Sequence, residues 1–168
     1  MKQPAKPAGP ALATAGSASE SIRTFRCRTV AEGRLSQLNY IRDLPPQAVA
    51  EAAPASLSSE SLAPNASEAL LAAFGSCLSV GLHANAIARG IPIRSLELEL
   101  TGEVDTAAAW GIGRLTPGGI GFETIHVLVR LDADGPRSAL EQLIRHTVLW
   151  SPVANTLHNP VELDVALA

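Results

Sequence analysis

The feature that most constrains this chain is one continuous run of small and apolar residues from about Ala66 to Arg89. Asn65 or Ser67 can cap its start, where Glu68 suits the positive end of the helix dipole. Gly90 followed by Ile91 and Pro92 ends it. Leu70, Leu71, Phe74, Leu78, Val80, Leu82 and Ile87 leave little polar surface in its middle. A helix apolar nearly all round is a buried central helix. Ala72, Ala73, Gly75, Ser76, Ser79, Gly81 and Ala84 are small, so a partner backbone can approach closely. Only 4% of the 168 residues are aromatic. So small a body gives such a helix poor cover by itself, and a homodimer is expected.

The segments around the helix alternate instead. Ser21 to Val30 and Arg34 to Asp43 read as strands flanking a turn at Ala31-Glu32-Gly33, with a short third strand over Gln47 to Glu51. After the helix, Arg94 to Asp105 places Leu96, Leu98 and Leu100 on one face and Glu97, Glu99 and Thr101 on the other. A Gly-containing connection over 106–119 leads to a second alternating strand, Phe122 to Ala133. Asp134-Gly135-Pro136 turns the chain into a helix over Arg137 to Leu149. Ser151-Pro152 reads as its break, and Val161 to Ala166 as a last strand. The order βββ-α-ββ-α-β predicts an α+β fold with largely antiparallel sheets. Residues 1–20 are Pro, Ala, Gly and Ser with almost no large apolar side chains. They read as a dispensable disordered tail before one domain over 21–168.

Composition removes several function classes. The formal net charge of −3 gives no electrostatic footprint for nucleic acid. No stretch of about 18 residues is apolar without interruption, so no membrane span is expected. Two cysteines, Cys27 and Cys77, make neither a disulfide framework nor a zinc finger, and no apolar leader follows Lys2 and Lys6. A soluble, cytoplasmic, reducing setting is the expectation.

Few motifs carry chemistry. GIGRLTPGGIG (111–121) matches neither G-x-G-x-x-G nor the P-loop and lies between strands, so it reads as a connecting turn. His83, His126, His146 and His158 show no metal-ligand spacing, and neither a metal nor an organic cofactor is expected. His83 lies six residues beyond Cys77, about 120° around a helix, where it cannot easily serve the thiol as a base. Cys27 shares a strand face with Phe25 and reads as a buried, inert thiol. Cys77 sits well inside the central helix, beyond the reach of its dipole. Reactivity there needs an external cation, and Arg26, Arg28 and Arg34 of the basic first hairpin are the candidates.

Three stretches resemble the OsmC/Ohr family. They are Ala63 to Cys77, which contains Glu68-Ala69-Leu70-Leu71-Ala72-Ala73-Phe74-Gly75-Ser76-Cys77; Ala88 to Pro92 with Leu96 to Glu103; and Ser151 to Leu157. The resemblance spans about 21–168, is weakest before residue 63 and excludes the tail. It implies an intertwined homodimer with two long helices at its centre and sheets wrapped around them. It also implies a thiol peroxidase that attacks organic hydroperoxides in oxidative-stress defence, closes a disulfide and is reset by a dithiol donor. On this resemblance Cys77 matches the peroxidatic cysteine, and Ser151 stands where the family usually has its resolving cysteine. Ser67 occupies the place of a Glu found in peroxidase members. Glu68 matches a Glu of the wider family, although nine helical residues, about 180°, separate it from Cys77. Two readings stay open: a one-cysteine peroxidase reset by an external thiol, and a non-peroxidatic dimer that binds a small apolar ligand.

Overall fold

The computed structural model describes residues 23–32, 36–50, 63–104 and 120–167. The expected tail, the turn at Gly33, Arg34, most of the loop before the long helix and residues 106–119 of the Gly-containing connection lie outside them.

Helix α1 runs Ala66–Ala88. Its start is a capping box: Glu68 N–H donates to Asn65 Oδ1 at 2.8 Å, and Asn65 N–H donates to Glu68 Oε2 at 2.8 Å. Gly90, with φ of 66°, takes the left-handed position after the last turn. In one chain the helix is buried on one side only, through Phe74, Gly75, Leu78, Leu82 and Ala86. Val80 is 70% exposed and Ile87 65%. The strand and helix packed on α1, described below, cover one flank, and the other is bare in the single protomer, in keeping with the poor cover expected of one chain. By length and composition alone α1 could cross a membrane. Its buried side is that of a core helix.

The remaining elements position this helix. Strands β1 (Arg28–Ala31), β2 (Ser36–Tyr40) and β3 (Gln47–Ala50) form an antiparallel sheet in that order. Val49 is buried, and Ala50 N–H donates to Pro64 O at 3.1 Å, which ties the sheet to the start of α1. Arg23–Cys27 are not strand, and Cys27 and Phe25 are exposed. The expected burial of Cys27 is corrected: it precedes β1, and no described residue covers it.

Strands β4 (Ile93–Val104) and β5 (Phe122–Ala133) form an antiparallel ribbon in which Leu96, Leu98 and Leu100 pair with Leu131, Val129 and Val127. The inner face meets Leu82, Ala86 and Leu143, the latter from helix α2 (Arg137–Leu149). The outer face carries charge. Arg130 bonds Glu97 at 3.0 Å and Glu99 at 2.8 Å, and Arg94 bonds Asp132 and Asp134. Hydrogen bonds to these carboxylates raise the Arg94 and Arg130 guanidinium pKa values, and the bond from Arg94 holds Asp132 below its ordinary value.

Ser151-Pro152 does more than break α2. It opens a further short helix, α3 (Pro152–His158), with Ser151 as N-cap and Pro152 in the first turn, where its fixed φ suits a helix start. The last expected strand is also corrected. Residues 161–167 form no strand, and Leu163, Val165 and Leu167 are exposed. An extended segment becomes a strand only beside another strand that pairs its backbone groups, and none does so among the described residues.

Candidate functional site

The site forms where α2 and α3 meet the flank of α1. Gly81 lacks a side chain at the point where α2 crosses, and Thr147 fills that space; a Cβ at Gly81 would stand 2.8 Å from Thr147 Cγ2. One turn back along α1 and two residues past the end of α2, Cys77 Sγ lies 3.3 Å from Ser151 Oγ. The equal four-residue spacings, 77 to 81 and 147 to 151, mean that the two helices run antiparallel with these residues in one seam.

Ser151 is held from several directions. It is 4% exposed. Its Oγ accepts the Ala154 N–H at 3.1 Å, the N-cap bond of α3. Its carbonyl accepts the Asn155 N–H at 3.0 Å and Asn155 Nδ2 at 2.8 Å, and Nδ2 also reaches Leu149 O at 2.9 Å. Asn155 therefore clamps the joint between α2 and α3. Cys77 is half-buried, and Ser151 Oγ is its hydrogen-bond partner among the described residues. The buried Thr147 Oγ1 in the same seam has no partner among them.

Two of the spaces that adjoin α1 bear on the site. One of about 440 Å³ is lined by Ser67, Leu70, Phe122, Ile125 and Leu157 among others. Leu70 is seven residues before Cys77, so it lies about two turns, roughly 10 Å, along nearly the same face. The other, of about 290 Å³, lies between α1, β5 and α2 and is lined by Phe74, Leu78, Val127, Ile144 and Thr147 among others.

Of the residues singled out from sequence, the chain brings Cys77 and Ser151 together. Glu68 is spent on the capping box at the start of α1. The Arg28 guanidinium stacks over the Tyr40 ring, 4.3 Å from its centroid. Arg26 lines a separate pocket with Phe25, Ile41 and Arg42. Neither arginine is joined to Cys77 within one chain, and Arg34 lies outside the described residues. Sequence reading gave no role to Thr147 or Asn155 and named Gly81 only as one of the small residues of the long helix. The detectable signal was Ser-Pro followed by Asn at 155, a cap-and-first-turn pattern.

Solved structures share this fold. An OsmC-like protein from Mycoplasma pneumoniae superposes with a TM-score of 0.68 at 18% identity, over 81% of this chain and 88% of that one. An OsmC-like protein from Vibrio cholerae gives 0.65 at 12% identity, over 80% and 94%. The organic hydroperoxide resistance protein OhrB of Bacillus subtilis gives 0.53 at 17% identity, over 78% and 89%. No curated protein sequence matches the chain. The family model described as OsmC-like protein matches residues 58–166, nearly two thirds of the chain and all of the Cys77–Ser151 seam, and the protein belongs to that OsmC-like family.

Proposed function

We propose that this chain is a one-cysteine thiol peroxidase acting on organic hydroperoxides, with Cys77 as the attacking thiol, working as a cytoplasmic homodimer in oxidative-stress defence. One observation carries the reading: the half-buried Cys77 Sγ lies 3.3 Å from the oxygen of Ser151, the residue at the usual resolving position. The two-residue arrangement is kept, and its second sulfur is replaced by oxygen. The apolar space at Leu70, about two turns along nearly the same face of α1 as Cys77, offers a place for an organic tail. OhrB and a Legionella pneumophila organic hydroperoxide resistance protein OsmC share the fold, which supports the substrate class.

The chemistry follows from those residues. The Cys77 thiolate attacks the terminal oxygen of ROOH, so an S–O bond forms and the O–O bond breaks. The alkoxide takes a proton and leaves as ROH, and Cys77 becomes a sulfenic acid. Ser151 has no sulfur with which to close a disulfide. An external low-molecular-weight thiol instead attacks the sulfenic sulfur, water leaves, and a mixed disulfide forms. A second such thiol attacks the external sulfur, returning the Cys77 thiol and releasing the external disulfide. Arg26, Arg28 and Arg34 of the first hairpin stay the candidates for a cation at the thiolate, although within one chain Arg28 stacks on Tyr40 and Arg26 lines a separate pocket.

The test is intact-mass and peptide mapping after one equivalent of cumene hydroperoxide, with a sulfenic-acid trap present. The expected product is a trapped adduct on Cys77 with no disulfide within the chain. An unreacted Cys77 overturns the peroxidase. It would favour the second reading, a dimer that binds a small apolar ligand, which the 290 Å³ cavity supports.

A further inference from the structure

We infer that Ser151 is a positioning residue for the Cys77 thiolate: its hydroxyl proton is directed at Sγ. This rests on the reading of Cys77 as the attacking thiol. A serine hydroxyl has one proton and two lone pairs. In Ser151 one lone pair is taken by the Ala154 N–H at 3.1 Å, and the oxygen lies 3.3 Å from Cys77 Sγ. While the thiol is protonated, either atom can donate. Once sulfur loses its proton, only the serine can, so the bond fixes its direction as the charge forms and becomes charge-assisted. The residue is 4% exposed, so water does not compete for that proton. Asn155 donates twice to the Ser151 carbonyl and once to Leu149 O, and Ser151 N–H donates to Val148 O, so the backbone that carries the hydroxyl is held in place.

Other titratable groups on the packed elements are engaged or turned elsewhere. On α1, His83 Nδ1 lies 2.9 Å from Ser79 O, and Glu68 belongs to the cap. On α2, His146 packs against the Trp150 ring, 6.0 Å between centroids, and Arg145 is exposed. On α3, His158 is seven residues, about two turns, beyond Ser151. Charges of the β4–β5 ribbon sit on its outer face.

The experiment measures the rate of Cys77 alkylation by iodoacetamide against pH, in the full chain carrying Cys27→Ser so that one thiol reports. Its midpoint reports how well the thiolate is held, and its high-pH plateau reports access. Ser151→Ala is expected to move the midpoint up by about one pH unit and slow alkylation about tenfold at neutral pH, with the plateau kept. Ser151→Gly does the same and keeps the start of α3, since glycine costs little as an N-cap. Ser151→Thr keeps both contacts and restores the parent midpoint. An unmoved midpoint in the Ala and Gly variants, or a change confined to the plateau, overturns the inference. If the midpoint moves but cumene hydroperoxide leaves Cys77 untouched, the positioning role stands and the peroxidase reading falls.

Discussion

The Gly81 backbone and the Thr147 methyl meet so closely that a Cβ at Gly81 would lie 2.8 Å from Thr147 Cγ2. Thr147 is 2% exposed and β-branched, so it cannot swing aside. Overpacking such a contact costs about 1–3 kcal/mol, while alanine returns up to about 1 kcal/mol of helix propensity. Gly81→Ala is therefore expected to lose about 1 kcal/mol net. Combined with Thr147→Ser, which removes the clashing methyl, it should lose about 1 kcal/mol less than the sum of the single changes. Urea melts of the four proteins check this, and strict additivity would contradict it.

One turn along the same seam, Ser151→Cys is expected to restore a dithiol. With Cys27 replaced by serine, one equivalent of cumene hydroperoxide should yield a disulfide between Cys77 and the introduced thiol, and little overoxidised Cys77. Adding Gly81→Ala, which pushes α2 outward, should lower the disulfide yield. Peptide mapping reads both. The Cys27 replacement is needed because that thiol is exposed and would pair between chains.

The uncovered side of α1 carries the dimer prediction. Val80 and Ile87 are seven residues apart on nearly one face, 70% and 65% exposed in the single chain. Sedimentation velocity at micromolar concentration should find a dimer. Val80→Glu, which places a charge in the middle of that face, should shift it towards monomer or unfold it. A stable folded monomer of the unmodified chain would end the proposal.

Acid behaviour has one traceable source on the outer sheet. Asp132 is held below its ordinary value of 3.8 by the hydrogen bond from Arg94. A carboxylate depressed in the folded state stabilises above the ordinary value, and that contribution disappears as pH falls from about 4 through the folded value. Asp132→Asn should flatten the pH dependence of the urea midpoint below about pH 4 relative to the parent. Because the pair is exposed, added salt at molar concentration should shrink the difference. Identical acid profiles for the two proteins would refute it.

Much of this arrangement was legible in the residues themselves. Alternation of Leu96, Leu98 and Leu100 with Glu97 and Glu99 gave β4 its inner and outer faces, and Asn65 with Glu68 announced the start of α1. The apolar run of α1 was equally plain, but periodicity reports what wants cover and not which molecule supplies it, so a single chain leaves Val80 bare. Ser151-Pro152 misled because proline ends one helix with the same geometry that begins the next. Cys27 misled because alternation suggested a strand where no described neighbour pairs with it. The 3.3 Å approach of Ser151 to Cys77 joins residues 74 positions apart. It depends on Gly81 permitting helix contact; the small residues announced that something could approach, but not that Thr147 would be what does.

Position 151 is asked to satisfy two chemistries at once. As N-cap of α3 it must offer an oxygen to the Ala154 amide, a task that serine performs and cysteine, a weak acceptor, performs poorly. As neighbour of Cys77 it decides whether an oxidised sulfur finds a second sulfur within the same chain. The two demands favour different atoms at one vertex. The serine in this chain sides with the helix: α3 gains a firm origin, and under the proposed chemistry the reset of Cys77 passes to a diffusing reductant, a consequence of the choice between oxygen and sulfur.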